Sequence, residues 1–406
     1  MTRSATILLV LLLSTMLAGP ADAAPKPLDD AVRGLVKRSL VGSSTSVVVR
    51  DGAGDVIVSI RPDVPHVPAS NQKLVTIATV LRVLGPDARL PTSLVASAPP
   101  VNGVIKGNVR LVGGGDPTFS TRTFGDAAYG IFVATPERLA ARLKATGVRR
   151  ITGRILADPY RFDALTAGLG WKPSFTPTEC PPLSALTINR APTTPALSAT
   201  RRVRAALLKA GIRVGPAALA SGPTGTGTVV AKVESAAVIW LATEAGKFSD
   251  NFVAEMLLKA VAAKQTGRGS TRVGARIARD TLAGFGVPLD GVVVADGSGL
   301  SSQNRLSAAA ISLLLSRIAD DPTLGHQLPR TLAVAGIDGT LMTRMSRGPA
   351  HGFVQAKTGT LNNVSALSGY AGDYAFSILI ERPNVDQLAA HRLQDAIAQL
   401  LARRAT

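Results

Sequence analysis

The chain has 406 residues, 46% hydrophobic and 18% charged, a balance that excludes a disordered protein and allows a sizeable core in two or three domains. Its 45 Lys and Arg against 27 Asp and Glu leave a formal charge of +18, an attraction for anionic surfaces such as wall polymers or lipid headgroups. Aromatic residues make up 4%, no zinc or stacking motif appears and the basic residues are dispersed, which excludes nucleic acid as partner, while one cysteine excludes an internal disulfide.

The first residues read as a secretory signal over 1–23. Arg3 supplies the basic start, residues 7–13 the apolar run, and Ala21-Asp22-Ala23 an A-x-A cleavage site before Ala24. That run is too short to span a bilayer, and no later run reaches about 18 residues, so no transmembrane segment is expected. No cysteine stands at the cleavage site to carry a lipid. The mature chain is expected in the periplasm, in the cell-wall space or secreted, still at +18 because the segment removes one Arg and one Asp.

A helix is expected over 27–37, then strands Thr45–Arg50 and Val56–Ile60 around Asp51-Gly52-Ala53-Gly54, a hairpin turn. After a proline-rich stretch, 72–84 reads as a buried apolar helix ending at Gly85-Pro86. From about Leu90 short strands over 94–98, 104–112 and 151–157 alternate with glycine and proline turns and one helix, 136–146. Helices follow at 196–210, 236–245, 251–263, 271–285 and 307–318. Strands at 353–357, 365–371 and 374–381 and a helix at 385–403 close the chain. The pattern predicts an α/β protein of the α+β kind, in which the first hairpin and the last three strands make one antiparallel sheet flanked by helices. Residues 88–229 read as a β-rich insertion.

Three strings carry chemistry. Ser70-Asn71-Gln72-Lys73 puts a lysine one helical turn from a serine, so Lys73 can take the proton of the Ser70 hydroxyl once burial or nearby cations lower its pKa. The helix start offers backbone N–H groups to an oxyanion. Ser249-Asp250-Asn251 suits the facing wall: Ser249 can relay a proton to a leaving amine, Asn251 can hold a substrate carbonyl and the lysine, and Ser249 or Asp250 can cap the helix that follows. Lys357-Thr358-Gly359-Thr360 reads as an edge strand on the cleft. Lys357 supplies charge for a substrate carboxylate, Thr358 and Thr360 hydrogen-bond it, and Gly359 leaves room for a ligand against the backbone. The backbone N–H of Thr360 is a second oxyanion donor. S-x-x-K alone arises by chance roughly once in a chain this long, but the three strings in this order do not.

Other features discriminate by absence. His66, His326, His351 and His391 have no metal spacing and no G-x-S-x-G elbow occurs, so no metal or other cofactor is expected. Asp296-Gly297-Ser298-Gly299-Leu300-Ser301 reads as a structural loop near the site, and Gly113-Gly114-Gly115-Asp116-Pro117 as a turn. Cys180 reads as an inert small apolar residue, Arg201-Arg202-Val203-Arg204 as a solvated helix face, and Leu388, Leu393, Ile397 and Leu400 as core packing.

With Gly115-Asp116-Pro117-Thr118 and Ala356 to Leu361 added, these strings resemble those of the exported D-alanyl-D-alanine carboxypeptidase/endopeptidase family of penicillin-binding protein 4 (the DacB or S13 type), over nearly the whole mature length. The long gap between first and second strings is similar to that family's, whereas class A β-lactamases close it sooner and carry an E-x-x-L-N string not found here. The resemblance implies a serine β-lactamase/transpeptidase-like core, 24–87 and 230–406, around an inserted domain, 88–229. It implies cleavage of D-Ala-D-Ala ends, or of D-Ala–diaminopimelate cross-links, in peptidoglycan stem peptides. By motif, Ser70 is acylated, Lys73 acts as base, Ser249 and Asn251 assist, and Lys357, Thr358 and Thr360 bind the carboxylate; the identity of the acylation base stays open. β-Lactams would acylate Ser70 as covalent inhibitors. Past residues 184–190 the chain passes almost directly to its next helix, so a third family domain is expected to be missing or vestigial, with consequences for wall attachment and any endopeptidase role. An exported β-lactamase, or a non-catalytic penicillin-binding wall protein, would carry the same strings.

Overall fold

The computed structural model describes residues 28–132, 134–223 and 225–405; the expected signal segment lies outside them. The hairpin forms where its turn chemistry puts it: β1 (Thr45–Arg50) and β2 (Val56–Ile60) are joined by a loop in which Asp51 Oδ1 accepts from the N–H of Ala53 (3.0 Å) and Asp55 (2.9 Å). Then come β3 (Pro91–Ala96), β4 (Val104–Ile105), β5 (Val109–Gly113), β6 (Arg150–Ile151), β7 (Ile155–Asp158), β8 (Ala217–Leu219) and β9 (Thr228–Glu234), with β10 (Ala333–Val334), β11 (Val354–Leu361), β12 (Val364–Ala371) and β13 (Tyr374–Glu381) near the end.

One sheet is antiparallel throughout, in the order β10-β11-β12-β13-β1-β2. Strand alternation divides its side chains. Val48, Ala366, Ala375 and Leu379 pack with the helices Gln72–Val83, Asn251–Thr266 and Ala308–Ala319, while Val47, Val49, Leu367, Phe376 and Ile378 pack on the other face with Leu28–Arg38 and Gln387–Ala405. The helix Asn251–Thr266 is buried all round from Phe252 to Ala263, which is why its sequence shows no polar face.

The second sheet, β8-β7-β5-β3-β9, is mixed, with β7 parallel to both neighbours and β3 antiparallel to both of its own. It has a separate core in which Leu94, Leu111, Leu139, Leu143, Val203 and Leu207 meet the helices Pro136–Ala145 and Pro195–Lys209. Phe162, Cys180, Leu183 and Ala185, from the same stretch of chain, instead join the core beneath Leu74 and Val253. Asn189 and Arg190, both at φ +50°, end that excursion five residues before the next helix.

Several local expectations fail for visible reasons. The strand expected over 104–112 breaks at Lys106-Gly107-Asn108, where Gly107 takes φ +82° and Asn108 Oδ1 accepts from Arg154 N–H at 2.7 Å. The strand expected over 151–157 breaks opposite it, where Gly153 N–H donates to Gly107 O at 2.8 Å. The helix Arg122–Tyr129 and strands β8, β9 and β10 have no counterpart among the expected elements. No helix of the described residues is long and apolar enough to cross a membrane.

Candidate active site

Ser70 sits in a single 3₁₀ turn, Ala69–Asn71, that runs into the helix Gln72–Val83. Asn71 Nδ2 donates to Ser368 Oγ at 2.7 Å, and Ser368 bonds Ser377 at 2.9 Å, so the turn is pinned to β12 and β13. A side chain on Gly359 would come within 2.9 Å of Pro68 O and 3.3 Å of Ala69 Cβ. The space expected for a ligand there is filled by the turn that carries Ser70. Gly359 is thus a packing glycine that lets β11 approach the nucleophile.

One turn on, Lys73 is fully buried and its Nζ meets three oxygens: Ser70 Oγ at 2.9 Å, Asn251 Oδ1 at 2.8 Å and Ser298 O at 2.6 Å. Asn251 is oriented by its own Nδ2, which donates to Glu179 O at 3.1 Å, so its oxygen faces the lysine. A carbonyl oxygen can accept but not donate. Two of the three partners therefore suit the two N–H bonds of a neutral amine, and its lone pair is left facing the Ser70 hydroxyl. Burial pulls the Lys73 pKa down to about 8, against the opposing pull of Asp296, Glu255 and Asp250.

The second string forms the opposite wall. Asp250 caps the helix Asn251–Thr266, its Oδ1 accepting from Val253 N–H at 3.0 Å. Ser249 precedes it at φ +60°, a conformation that costs an ordinary residue about 1–2 kcal/mol and needs support from outside. Support comes from Arg190, which pairs with Asp250 Oδ2, donates to the Tyr129 hydroxyl at 2.8 Å and lies over the rings of Tyr129 and Phe252. Sequence reasoning missed Arg190, because nothing local announces a partner 60 residues away.

The third string lies on β11. β10 covers Gln355 and Ala356, and from Lys357 onward β12 is the neighbour on one side. Alternation turns Thr358 and Thr360 into the cleft and Lys357 and Gly359 away from it. Thr358 Oγ1 bonds Thr340 Oγ1 at 2.8 Å. Lys357 is fully buried, donates to Thr358 O at 3.0 Å, and is pushed well below the usual lysine range by burial and then by the charge of Lys73.

The loop at 296–301 is more than a structural turn near the site. Asp296, fully buried, accepts from Gly299 N–H (2.9 Å), Ser301 N–H (2.7 Å), Asn304 Nδ2 (2.7 Å) and Trp171 Nε1 (2.8 Å), which fixes the Ser298 carbonyl against Lys73. Gly299, at φ +87°, lies so close to Ala69 O that a Cβ would be 1.9 Å from it. Beneath the loop, the buried Glu255 accepts from Gly297 N–H at 2.9 Å and Ser298 N–H at 2.7 Å. Burial, and then Asp296, raise its pKa to about 8. The available signal was an acid in a run of its helix that is apolar apart from Glu255 and Lys259. Cys180 is buried near Lys73, its thiol held well above its ordinary pKa by burial.

Ser70, Ser249, Asn251, Thr358 and Thr360 line one cavity of about 960 Å³, together with Lys172, Glu179, Arg305 and Glu381. Lys73 and Lys357 lie buried behind its wall.

The sequence profile of the D-Ala-D-Ala carboxypeptidase 3 (S13) family matches residues 31–190 and 175–404. A D-alanyl-D-alanine carboxypeptidase of Actinomadura sp. (strain R39) is 32% identical, the match covering 90% of this chain and 82% of that one. The crystal structure of penicillin binding protein 4 (dacB) from Haemophilus influenzae is similar at TM-score 0.77 and 22% identity, over 92% of this chain and 99% of that one. The same Haemophilus influenzae protein complexed with a β-lactam matches at TM-score 0.71 and 22% identity, over 90% and 98%.

Proposed function

The chain belongs to the D-Ala-D-Ala carboxypeptidase 3 (S13) family, and from that premise we propose that it is a serine-type D-Ala-D-Ala carboxypeptidase acting on peptidoglycan stem peptides through a Ser70 acyl-enzyme. The observation that carries the reading is the Lys73 amine, 2.9 Å from Ser70 Oγ, with acceptor-only carbonyl oxygens of Asn251 and Ser298 for its N–H bonds. Lys73 takes the hydroxyl proton as Ser70 Oγ bonds the carbonyl carbon between the two D-Ala residues. Backbone N–H groups of Ser70 and Thr360 hold the oxyanion. On collapse the C–N bond breaks, the Ser249 hydroxyl relays a proton to the leaving amine, and D-Ala departs; water then frees the shortened peptide. Thr358 and Thr360 hydrogen-bond the terminal carboxylate, and the Lys357 amine lies buried behind them on the same strand. The chemistry asks for no cofactor.

A β-lactam carries its leaving nitrogen in the same ring as its reactive carbonyl, so the nitrogen stays tethered after Ser70 attacks and blocks water. This supports covalent inhibition. The reading also takes the chain as an exported enzyme of the periplasm or wall space, with its charge drawn to an anionic wall or membrane surface. The second sheet is taken as a domain inserted at 88–229 into a transpeptidase-like core, with the third family domain missing or vestigial. The test is release of D-Ala from a synthetic stem peptide ending in D-Ala-D-Ala. Wild type should release one D-Ala per peptide and Ser70→Ala none; equal release by both would remove Ser70 from the chemistry.

A further inference from the structure

The cleft accounts for few of the chain's cations, and a second group of them is organised on the second unit. Residues 103–107, 149–153 and 211–215 run side by side as a short parallel strip. β4 pairs with β6 and Arg150 with Arg213, through Arg149 N–H to Gly103 O (2.8 Å), Ile151 N–H to Arg213 O (2.8 Å) and Arg213 N–H to Arg149 O (3.1 Å). Ile105, Ile151, Ile212 and Val214 are buried beneath it. Strand alternation therefore turns Lys106, Arg150 and Arg213 outward together, and all three are exposed. Arg149 and Arg154 flank them, also exposed, and Arg204 reaches in from its helix, Nε donating to Gly215 O at 2.8 Å.

Arg150 and Arg213 stand on paired positions of neighbouring strands, about 4.8 Å apart, an arrangement in which like charges repel. Among the described residues no ion pair offsets that repulsion. Residues 101–115, 144–157 and 199–227 contain no Asp or Glu, and no ion pair among the described residues joins any of the six cations. Five of the six are arginines, whose planar forks match the paired oxygens of a phosphate better than a lysine does. The same three segments hold no Trp, Tyr or Phe, the side chains that seat a protein in a lipid headgroup layer.

We propose that this strip binds a linear polyanion with repeating phosphate diesters, the chemistry of an anionic wall polymer, and so holds the enzyme on the surface where its substrate lies. The inference rests on the peptidase reading for its purpose, but its test does not. Binding of the mature chain to immobilised inorganic polyphosphate is measured against salt, beside vesicles of phosphatidylglycerol, for wild type, Arg150→Glu/Arg213→Glu and the milder Lys106→Gln/Arg154→Gln. A control, Arg272→Glu/Arg276→Glu, makes the same charge change on an exposed face of another helix.

At about 0.15 M salt the Arg150/Arg213 variant should bind polyphosphate roughly tenfold or more weakly, with a shallower salt dependence, and the milder pair should lie between it and wild type. The control should stay within roughly threefold of wild type. Equal loss in the control would overturn the proposal in favour of undirected net charge, and tighter binding to the vesicles than to polyphosphate would overturn it in favour of lipid. Benzylpenicillin adduct formation, followed in every sample, should be unchanged by all three substitutions. If wild type forms no adduct, the peptidase reading fails and the polyphosphate result still stands.

Discussion

The cleft and the basic strip use charge in opposite ways. In the cleft, Lys73, Glu255, Asp296 and Lys357 are all fully buried, and each has specific hydrogen-bond partners. Burial moves Lys73 and Glu255 to pKa values of about 8, so a proton can shift near neutral pH. On the strip, Lys106, Arg149, Arg150, Arg154 and Arg213 are exposed and join no ion pair among the described residues, an arrangement suited to attraction and useless for proton transfer. What separates a charge that does chemistry from one that gathers a partner is whether the fold has removed its water.

The largest expected effect comes from forcing a permanent charge into the cleft. Lys73→Arg keeps a cation where the account needs a lone pair, so acylation by benzylpenicillin should slow by about a thousandfold. A rate within tenfold of wild type, in protein with unchanged melting, would mean another group takes the Ser70 proton. Next is the brace that Arg190 makes against Asp250 at the start of the helix Asn251–Thr266. Arg190→Ala removes the partner of Asp250, and the displaced Ser249 and Asn251 should lower the acylation rate constant by roughly tenfold to a hundredfold with less change in ligand affinity. Arg190→Lys should recover part of it; if both variants merely unfold earlier and react normally, the brace serves stability alone.

A smaller effect is expected from pH. Acylation should rise with pH around a midpoint near 8 as Lys73 loses its proton. Glu255→Gln removes a carboxylate that favours charged Lys73, so the midpoint should move to lower pH. Stability carries its own sign. Glu255 has a folded pKa raised from 4.5, so its favourable contribution is complete below pH 4.5 and is lost as pH climbs toward 8. Glu255→Gln should flatten that decline in thermal melts between pH 5 and 8, and a parallel decline in both proteins would contradict the assignment. The smallest effect is Thr340→Val, which removes the 2.8 Å bond to Thr358 and should weaken ligand binding several-fold, about 1 kcal/mol.

How much of this was legible depended on the range of the interaction. β1, β2 and their turn were readable to the residue because alternation and an Asp-Gly turn are local signals. Lys73 beside Ser70 was readable because three residues make about one turn, and Asp250 as a cap because capping acts within three residues. What stayed hidden arises from distant approach. Ser298 O meets Lys73 across 225 residues of chain, Arg190 meets Asp250 across 60, and Gly359 proved to make room for Pro68 and not for a ligand. The break of the 104–112 strand was hidden for the same reason, since Asn108 serves Arg154 on a neighbouring segment.

The central claim is that Ser70, activated by Lys73, is the group acylated. It is tested most directly by intact-protein mass after adding benzylpenicillin, with Ser70→Ala alongside. The account predicts a long-lived gain of one penicillin in the wild type and none in the variant. An adduct that persists in Ser70→Ala, or a wild type that destroys penicillin quickly without holding it, would contradict the account.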